Sequence, residues 1–137
     1  MNINFQTVSE GDKIPALKKE PITQLQLVKY AGASGDFNPI HTVPEYAKEA
    51  GLDGTIAHGM LVMGMLGQMI SGWVGVKPVV KYGVSFRAMT KPGDILTATG
   101  EVKKKYEKDG SNFIDCTVRI ADEQDEVKVE GKVSVKL

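Results

Sequence analysis

The chain has 137 residues, the length of one domain, and sets 17 basic against 17 acidic residues. A formal charge of zero argues against a dedicated nucleic-acid binder, and 42% hydrophobic content is too high for a disordered chain. The single cysteine, Cys116, rules out an intramolecular disulfide and a zinc site built on several thiolates.

Residues 1–21 read as a short, polar entry strand interrupted by Pro15 and Pro21. Thr23 stands three residues before Gln26, a capping-box spacing. The helix it opens places Leu25, Leu27, Val28 and Ala31 at apolar positions and is expected to stop near Gly32. The run 32–41, GASGDFNPIH, is a loop by composition, and Asn38 precedes Pro39, where helical backbone is disfavoured. A short helix follows, with Pro44 in its first turn and Gly51 as its stop. A second loop runs to Ala57.

Residues 59–76, GMLVMGMLGQMISGWVGV, hold only two polar side chains, Gln68 and Ser71. The stretch nears the ~18–20 residues of a membrane span. Its five glycines, and a cation (Lys77) on one side only, point instead to a buried core helix, apolar all round and starting near His58. No membrane span is expected. No basic-then-apolar leader opens the chain, so a cytoplasmic location is expected.

The second half changes to a period of two. Val80, Tyr82, Val84 and Phe86 alternate with Lys81, Gly83, Ser85 and Arg87. Lys91-Pro92-Gly93-Asp94 is a turn, Ile95 to Tyr106 a second strand, and Lys108-Asp109-Gly110-Ser111 a hairpin signal. Ile114, Cys116, Val118 and Ile120 share one face of a third strand. Asp122 to Asp125 turn again, and Val127, Val129, Val133 and Val135 share one face of the last. With no repeat or linker, the expectation is one α+β domain over 1–137, its sheet wrapping the apolar helix. One small sheet covers such a helix only in part, which argues for a dimer or larger assembly.

Chemistry concentrates in Asp36, Asn38 and His41. A carboxylate and an imidazole can give and take protons near neutral pH, and an amide can orient a water. The same residues could instead cap and turn the backbone. Ala57-His58-Gly59 opens the apolar helix, where free N–H groups suit an oxyanion and Gly59 lets a carbonyl come close. The competing reading is that Gly59 serves packing and His58 caps the helix. Asp36, His41 and His58 are also the ligand types of a two-histidine, one-carboxylate iron site. That site would consume both histidines of the chain, and no metal is expected. Ser34 lacks a nucleophile-elbow context, and Gly32 to Gly35 is no phosphate loop. Cys116 reads as a buried small hydrophobe, and Lys103-Lys104-Lys105 as a solvated strand edge rather than a phosphate site.

The stretch Tyr30 to His41, with its Gly-Asp-x-Asn-Pro-x-His core, resembles the signature of the R-specific enoyl-thioester hydratases, the MaoC-like dehydratase family. The resemblance continues through Ala57-His58-Gly59-Met60, Phe86-Arg87-Ala88 and Pro92-Gly93-Asp94. Within the family, Gly51-Leu52-Asp53, Ile56 to Met60 and Ser71 to Gly75 look most like the catalytic subunit of the (3R)-hydroxyacyl-carrier-protein dehydratases. It implies a hot-dog fold, an antiparallel sheet around one long helix, paired with a second copy or another hot-dog subunit. It implies a hydro-lyase that interconverts trans-2-enoyl and (R)-3-hydroxyacyl thioesters of coenzyme A or acyl-carrier protein, without a cofactor. Asp36 and His41 would be the acid/base pair, Asn38 would help hold the water, and the Gly59 N–H would bind the thioester carbonyl. His58 and Arg87 would contact substrate. A non-catalytic acyl-binding subunit should lack the Asp/His pair. A hot-dog thioesterase would need a carboxylate near the middle of the long helix, and residues 59–76 hold none.

Overall fold

The apolar segment forms the helix on which the rest of the chain is arranged: α3, Gly59–Val74, sixteen residues or about 24 Å of helix. Gly75 ends it with a φ of +80° and an N–H donated to the Ser71 carbonyl. No helix among the described residues is long and apolar enough to cross a membrane. The computed structural model describes residues 3–137. Val62, Met65, Leu66, Met69, Ile70 and Trp73 recur at helical spacing and are buried. The opposite stripe, Met60, Gly64, Gln68 and Gly72, is exposed. The helix is therefore not buried all round within one chain. Its open side is mostly glycine and one glutamine, so it exposes little apolar side chain.

Five strands enclose the buried stripe: β1 Lys13–Lys18, β2 Val79–Phe86, β3 Thr97–Lys108, β4 Ser111–Ala121 and β5 Val127–Lys136. They form one antiparallel sheet in the order β1-β3-β4-β5-β2, and α3 packs against every strand. This is the hot-dog arrangement. Val102, Ile114, Cys116, Val118, Ile120, Val133 and Val135 line its inner face, each nearly inaccessible to solvent. Asp109 and Gly110 both adopt positive φ, the two-residue turn that matches strand twist, and pair Lys108 with Ser111 across β3 and β4.

Three strand expectations change, each where the pairing slips. Pro15 does not break β1. The register shifts between Ile14 and Leu17, and an edge strand tolerates a residue without an N–H there. In β2 the register shifts between Val79 and Lys81, so Val79, Tyr82 and Val84 pack on the core while Val80 is exposed; Phe86, at the strand's end, is half exposed beside Gly59. In β5, Ile120 pairs with Val129 but Ala121 pairs with Val127, which leaves Lys128 as an extra, bulged residue. Val127 is consequently only half-buried, and Lys128 turns inward to ion-pair with Asp122 at 3.1 Å and with Glu126.

Before α3, the chain folds α1, Gln24–Ser34, and α2, Pro44–Glu49. Thr23 caps α1 by accepting the Gln26 N–H. The helix runs through Gly32 and ends at Gly35, whose φ of +75° lets its N–H reach the Ala31 carbonyl. Gly32 merely weakens the helix, whereas stopping it requires the left-handed backbone that Gly35 adopts. A single 3-10 turn, Pro39–His41, connects the two helices.

Candidate active site

The loop after Gly35 is stitched by its own short side chains. Ser34 Oγ accepts the Asp36 N–H, Asp36 Oδ1 accepts the Asn38 N–H, and Asn38 Oδ1 accepts the Ile40 N–H. The last of these caps the 3-10 turn that carries His41. The loop thus has the turn chemistry that the composition allows, and it also brings a carboxylate and an imidazole together. Asp36 Oδ2 lies 3.7 Å from His41 Nε2, with the carboxylate about half exposed and the imidazole buried.

Hydrogen bonding sets the His41 tautomer. Its Nδ1 lies 2.7 Å from the Ile56 carbonyl, which can only accept, so Nδ1 carries the proton. Nε2 of the neutral ring is left bare, facing Asp36. Gln24 secures the backbone beneath, donating from Nε2 to the His41 carbonyl at 2.9 Å and accepting from the Thr55 hydroxyl. No sequence signal singles out Gln24, because its partners lie 17 and 31 residues away and meet it only in the fold.

His58 precedes α3 but makes no capping hydrogen bond. It is 1% exposed, stacked on His41 at 3.7 Å and edge-on to Tyr30 at 4.7 Å. The expected substrate contact at His58 is therefore corrected: packing on both sides leaves no surface for a substrate to touch. Its Nε2 donates to the Asp36 carbonyl at 3.2 Å, and its Nδ1 is buried without a partner. Burial, with the neighbouring His41, holds its pKa below 6.5 against the opposing pull of Asp36.

Beside this group opens a cavity of about 400 Å³, its wall including His41, Gly59, Val62, Phe86, Arg87 and Val129. Gly59 is the first residue of α3, so its N–H has no partner within the helix. A Cβ on Gly59 would lie 2.9 Å from the Phe86 ring, so the glycine also admits that ring. Arg87 stands at the rim, its guanidinium 2.6 Å from Glu130. Asn38 is exposed, is not on the cavity wall, and has its side-chain oxygen engaged in the cap.

Ligand atoms of Asp36, His41 and His58 lie within 4.8 Å of one another. The two imidazoles, however, are stacked with only 22° between their planes. Each nitrogen lone pair lies in its own ring plane, so one ion cannot sit about 2.0–2.1 Å from both along their lone-pair directions. The arrangement does not fit a shared metal. Elsewhere the lysine run is spent locally: Lys103 pairs with Glu101, Lys104 lies over the Tyr106 ring, and Lys105 donates to the Val8 carbonyl. Cys116 is buried, which pushes its thiol up to about 12.

A single helix wrapped by an antiparallel sheet, with a carboxylate and an imidazole meeting at the helix N-terminus, defines a class of hot-dog proteins. Residues 5–124 match the MaoC like domain model, and the chain belongs to the MaoC-like domain family. It is 30% identical to an (R)-specific enoyl-CoA hydratase of Aeromonas caviae, over 98% of this chain and 99% of that protein. It is 36% identical to a mitochondrial 3-hydroxyacyl-[acyl-carrier-protein] dehydratase of Arabidopsis thaliana, over 56% of this chain but only 50% of that protein. The structure of an R-hydratase from Pseudomonas aeruginosa superimposes with a TM-score of 0.83 at 26% identity, covering 99% of this chain and 89% of that one.

Proposed function

We propose that this chain is a hydro-lyase of fatty-acid metabolism that adds water reversibly to trans-2-enoyl thioesters, giving (R)-3-hydroxyacyl thioesters, with Asp36 and His41 as its acid/base pair. The observation that carries the assignment is the bare Nε2 of His41, which lies with Gly59 on the cavity wall and faces the exposed Asp36 Oδ2, off that wall, at 3.7 Å. The hydratase and dehydratase relatives support the reaction class.

In the hydration direction, the water oxygen bonds to C3 while His41 Nε2 takes one of its protons. The electrons of the double bond move toward the thioester oxygen, giving an enolate. The Gly59 N–H and the N-terminal dipole of α3 stabilise that charge as it develops, a contribution of about 3–4 kcal/mol for such donors. The proton that His41 took from the water passes within the pair to Asp36 and on to C2, so the pair returns to its starting state, and the enolate electrons form the C–H bond. Both groups project from one loop, so the additions fall on one face. Asn38 can hold the water through its Nδ2 hydrogens, while its oxygen accepts the Ile40 N–H. Arg87 at the rim would meet the polar end of the thioester.

The proposal takes 1–137 as one domain, acting on thioesters of coenzyme A or acyl-carrier protein, with no cofactor. It pairs the chain with a second copy or with another hot-dog subunit. A cytoplasmic location belongs to this proposal and not to the family, since the Arabidopsis relative is mitochondrial. The test is hydration of crotonyl-coenzyme A, followed by loss of the conjugated enoyl absorbance, with chiral analysis of the product. Asp36→Asn and His41→Ala are each expected to lower turnover at least about 10²-fold with the fold intact. Near-normal turnover in either variant overturns the pair, and an (S) product overturns the stereochemistry.

A further inference from the structure

We infer that His58 is the positioning residue that aims both halves of the acid/base pair, acting as a buried plate packed behind them; this rests on the proposed roles of Asp36 and His41. Two independent contacts carry it. The His58 ring stacks on His41 at 3.7 Å with 22° between planes, and its Nε2–H donates to the Asp36 backbone carbonyl at 3.2 Å. One buried side chain thus touches the imidazole directly and holds the backbone of the carboxylate.

The loop needs such a support. Residues 32–38 are all exposed, and their other restraints are hydrogen bonds between neighbours along the chain. Those bonds shape the turn but do not tie it to the body of the protein. His58 does, because it belongs to the buried entry to α3 and is itself held edge-on by Tyr30 at 4.7 Å. His41 has fixed anchors at Nδ1 and at its backbone carbonyl, but a ring anchored at Nδ1 can still tilt. The stacked face removes that freedom and keeps Nε2 beside Asp36. Placement to within about an ångström is worth large factors in rate.

Neutrality follows from the same packing. Because Nε2 gives its proton to a carbonyl, the neutral ring carries a bare Nδ1, which is buried without a partner. Protonating Nδ1 would bury an N–H with no acceptor and stack a cation on His41. Burial and His41 oppose that charge, while the Asp36 carbonyl and carboxylate favour it, and the balance lies below the ordinary histidine value. The packing thus favours the neutral form of His58, with its Nε2–H as the donor.

Two substitutions separate the contacts. His58→Phe keeps a stacking ring and removes the donor, whereas His58→Gln keeps an N–H near the Nε2 position and removes the ring. Each is expected to lower kcat at least ten-fold per folded molecule, with KM within two-fold, because His58 does not line the cavity. The enzyme is assayed on crotonyl-coenzyme A beside Asp36→Asn and His41→Ala. If those two variants are inactive but both His58 variants keep normal kcat, the His58 role is overturned and the pair stands. A rise in KM at unchanged kcat, or a lower melting temperature with normal kinetics in the folded fraction, overturns it equally. If Asp36→Asn and His41→Ala retain activity, the site assignment itself fails. A second readout does not depend on activity. Nitrogen-15 shifts of the imidazoles are expected to show His58 as the Nε2–H tautomer, charging only below 6.5, and a His58 that charges at 6.5 or above, or that carries its proton on Nδ1, overturns the reading.

Discussion

Gly59 answers to two demands at once, and they can be pulled apart. Its N–H is free at the start of α3, and its missing side chain leaves room for the Phe86 ring, 2.9 Å from where a Cβ would stand. Phe86 is 53% exposed, so the ring can move aside. Gly59→Ala is expected to lower kcat more than it raises KM, since contact with the oxyanion matters most when charge is developed. Phe86→Ala in the same chain decides the cause. If the methyl blocks the thioester oxygen, the double variant stays slow. Steady-state kinetics that recover in the double variant would show instead that the damage came from the displaced ring, through a coupling that such a cycle measures.

Elements are held by close backbone approaches as much as by side-chain pattern. Gly131 sits in β5 opposite β2, paired with Val84. A Cβ there would lie 2.1 Å from the Gly83 carbonyl oxygen and 2.8 Å from the Val84 Cα. Both are backbone atoms, which cannot step aside as a flexible side chain can. Gly131→Ala is therefore expected to cost about 3 kcal/mol or more, the upper end of overpacking, and to loosen β2 from the sheet. Urea unfolding of the variant checks this, and a midpoint equal to that of the unmodified protein would contradict it. Gly110→Ala offers a contrast: it has a φ of +72° but no neighbour near its Cβ, so only backbone strain opposes the change. A smaller loss, about 1 kcal/mol, is expected there.

At the scale of the whole molecule, β2 is an edge strand, and exposed apolar side chains gather on it and beside it. Val80 and Phe86 lie on the strand, Val76 just before it, Met89 just after it and Met60 in the first turn of α3. An unpaired strand edge with apolar cover is a surface for another chain. Light scattering at micromolar concentration is expected to give at least twice the 14.8 kDa chain mass, either for this chain alone or with a hot-dog subunit added. A monomer that hydrates crotonyl-coenzyme A at full rate, alone, would contradict the pairing. The exposed stripe of α3 adds little to this expectation, because glycines and Gln68 make up most of it.

Local chemistry was enough to read much of this protein from its residues in order. Alternation placed the inner face of β4, Asp109-Gly110 placed its hairpin with β3, and the apolar run placed the central helix, since each depends on neighbours along the chain. The motif around Asp36 and His41 likewise marked the candidate site. Only the tertiary structure decided where pairing slips, at Pro15, Val80, Lys103 and Lys128, because a bulge is a mismatch between two strands and neither strand alone contains it. Only the fold brought Gln24 to His41 and buried His58, an expected substrate contact, against the His41 ring. Those contacts join residues 17 positions apart in both cases, and hydrophobic packing between elements, not local propensity, brings them together.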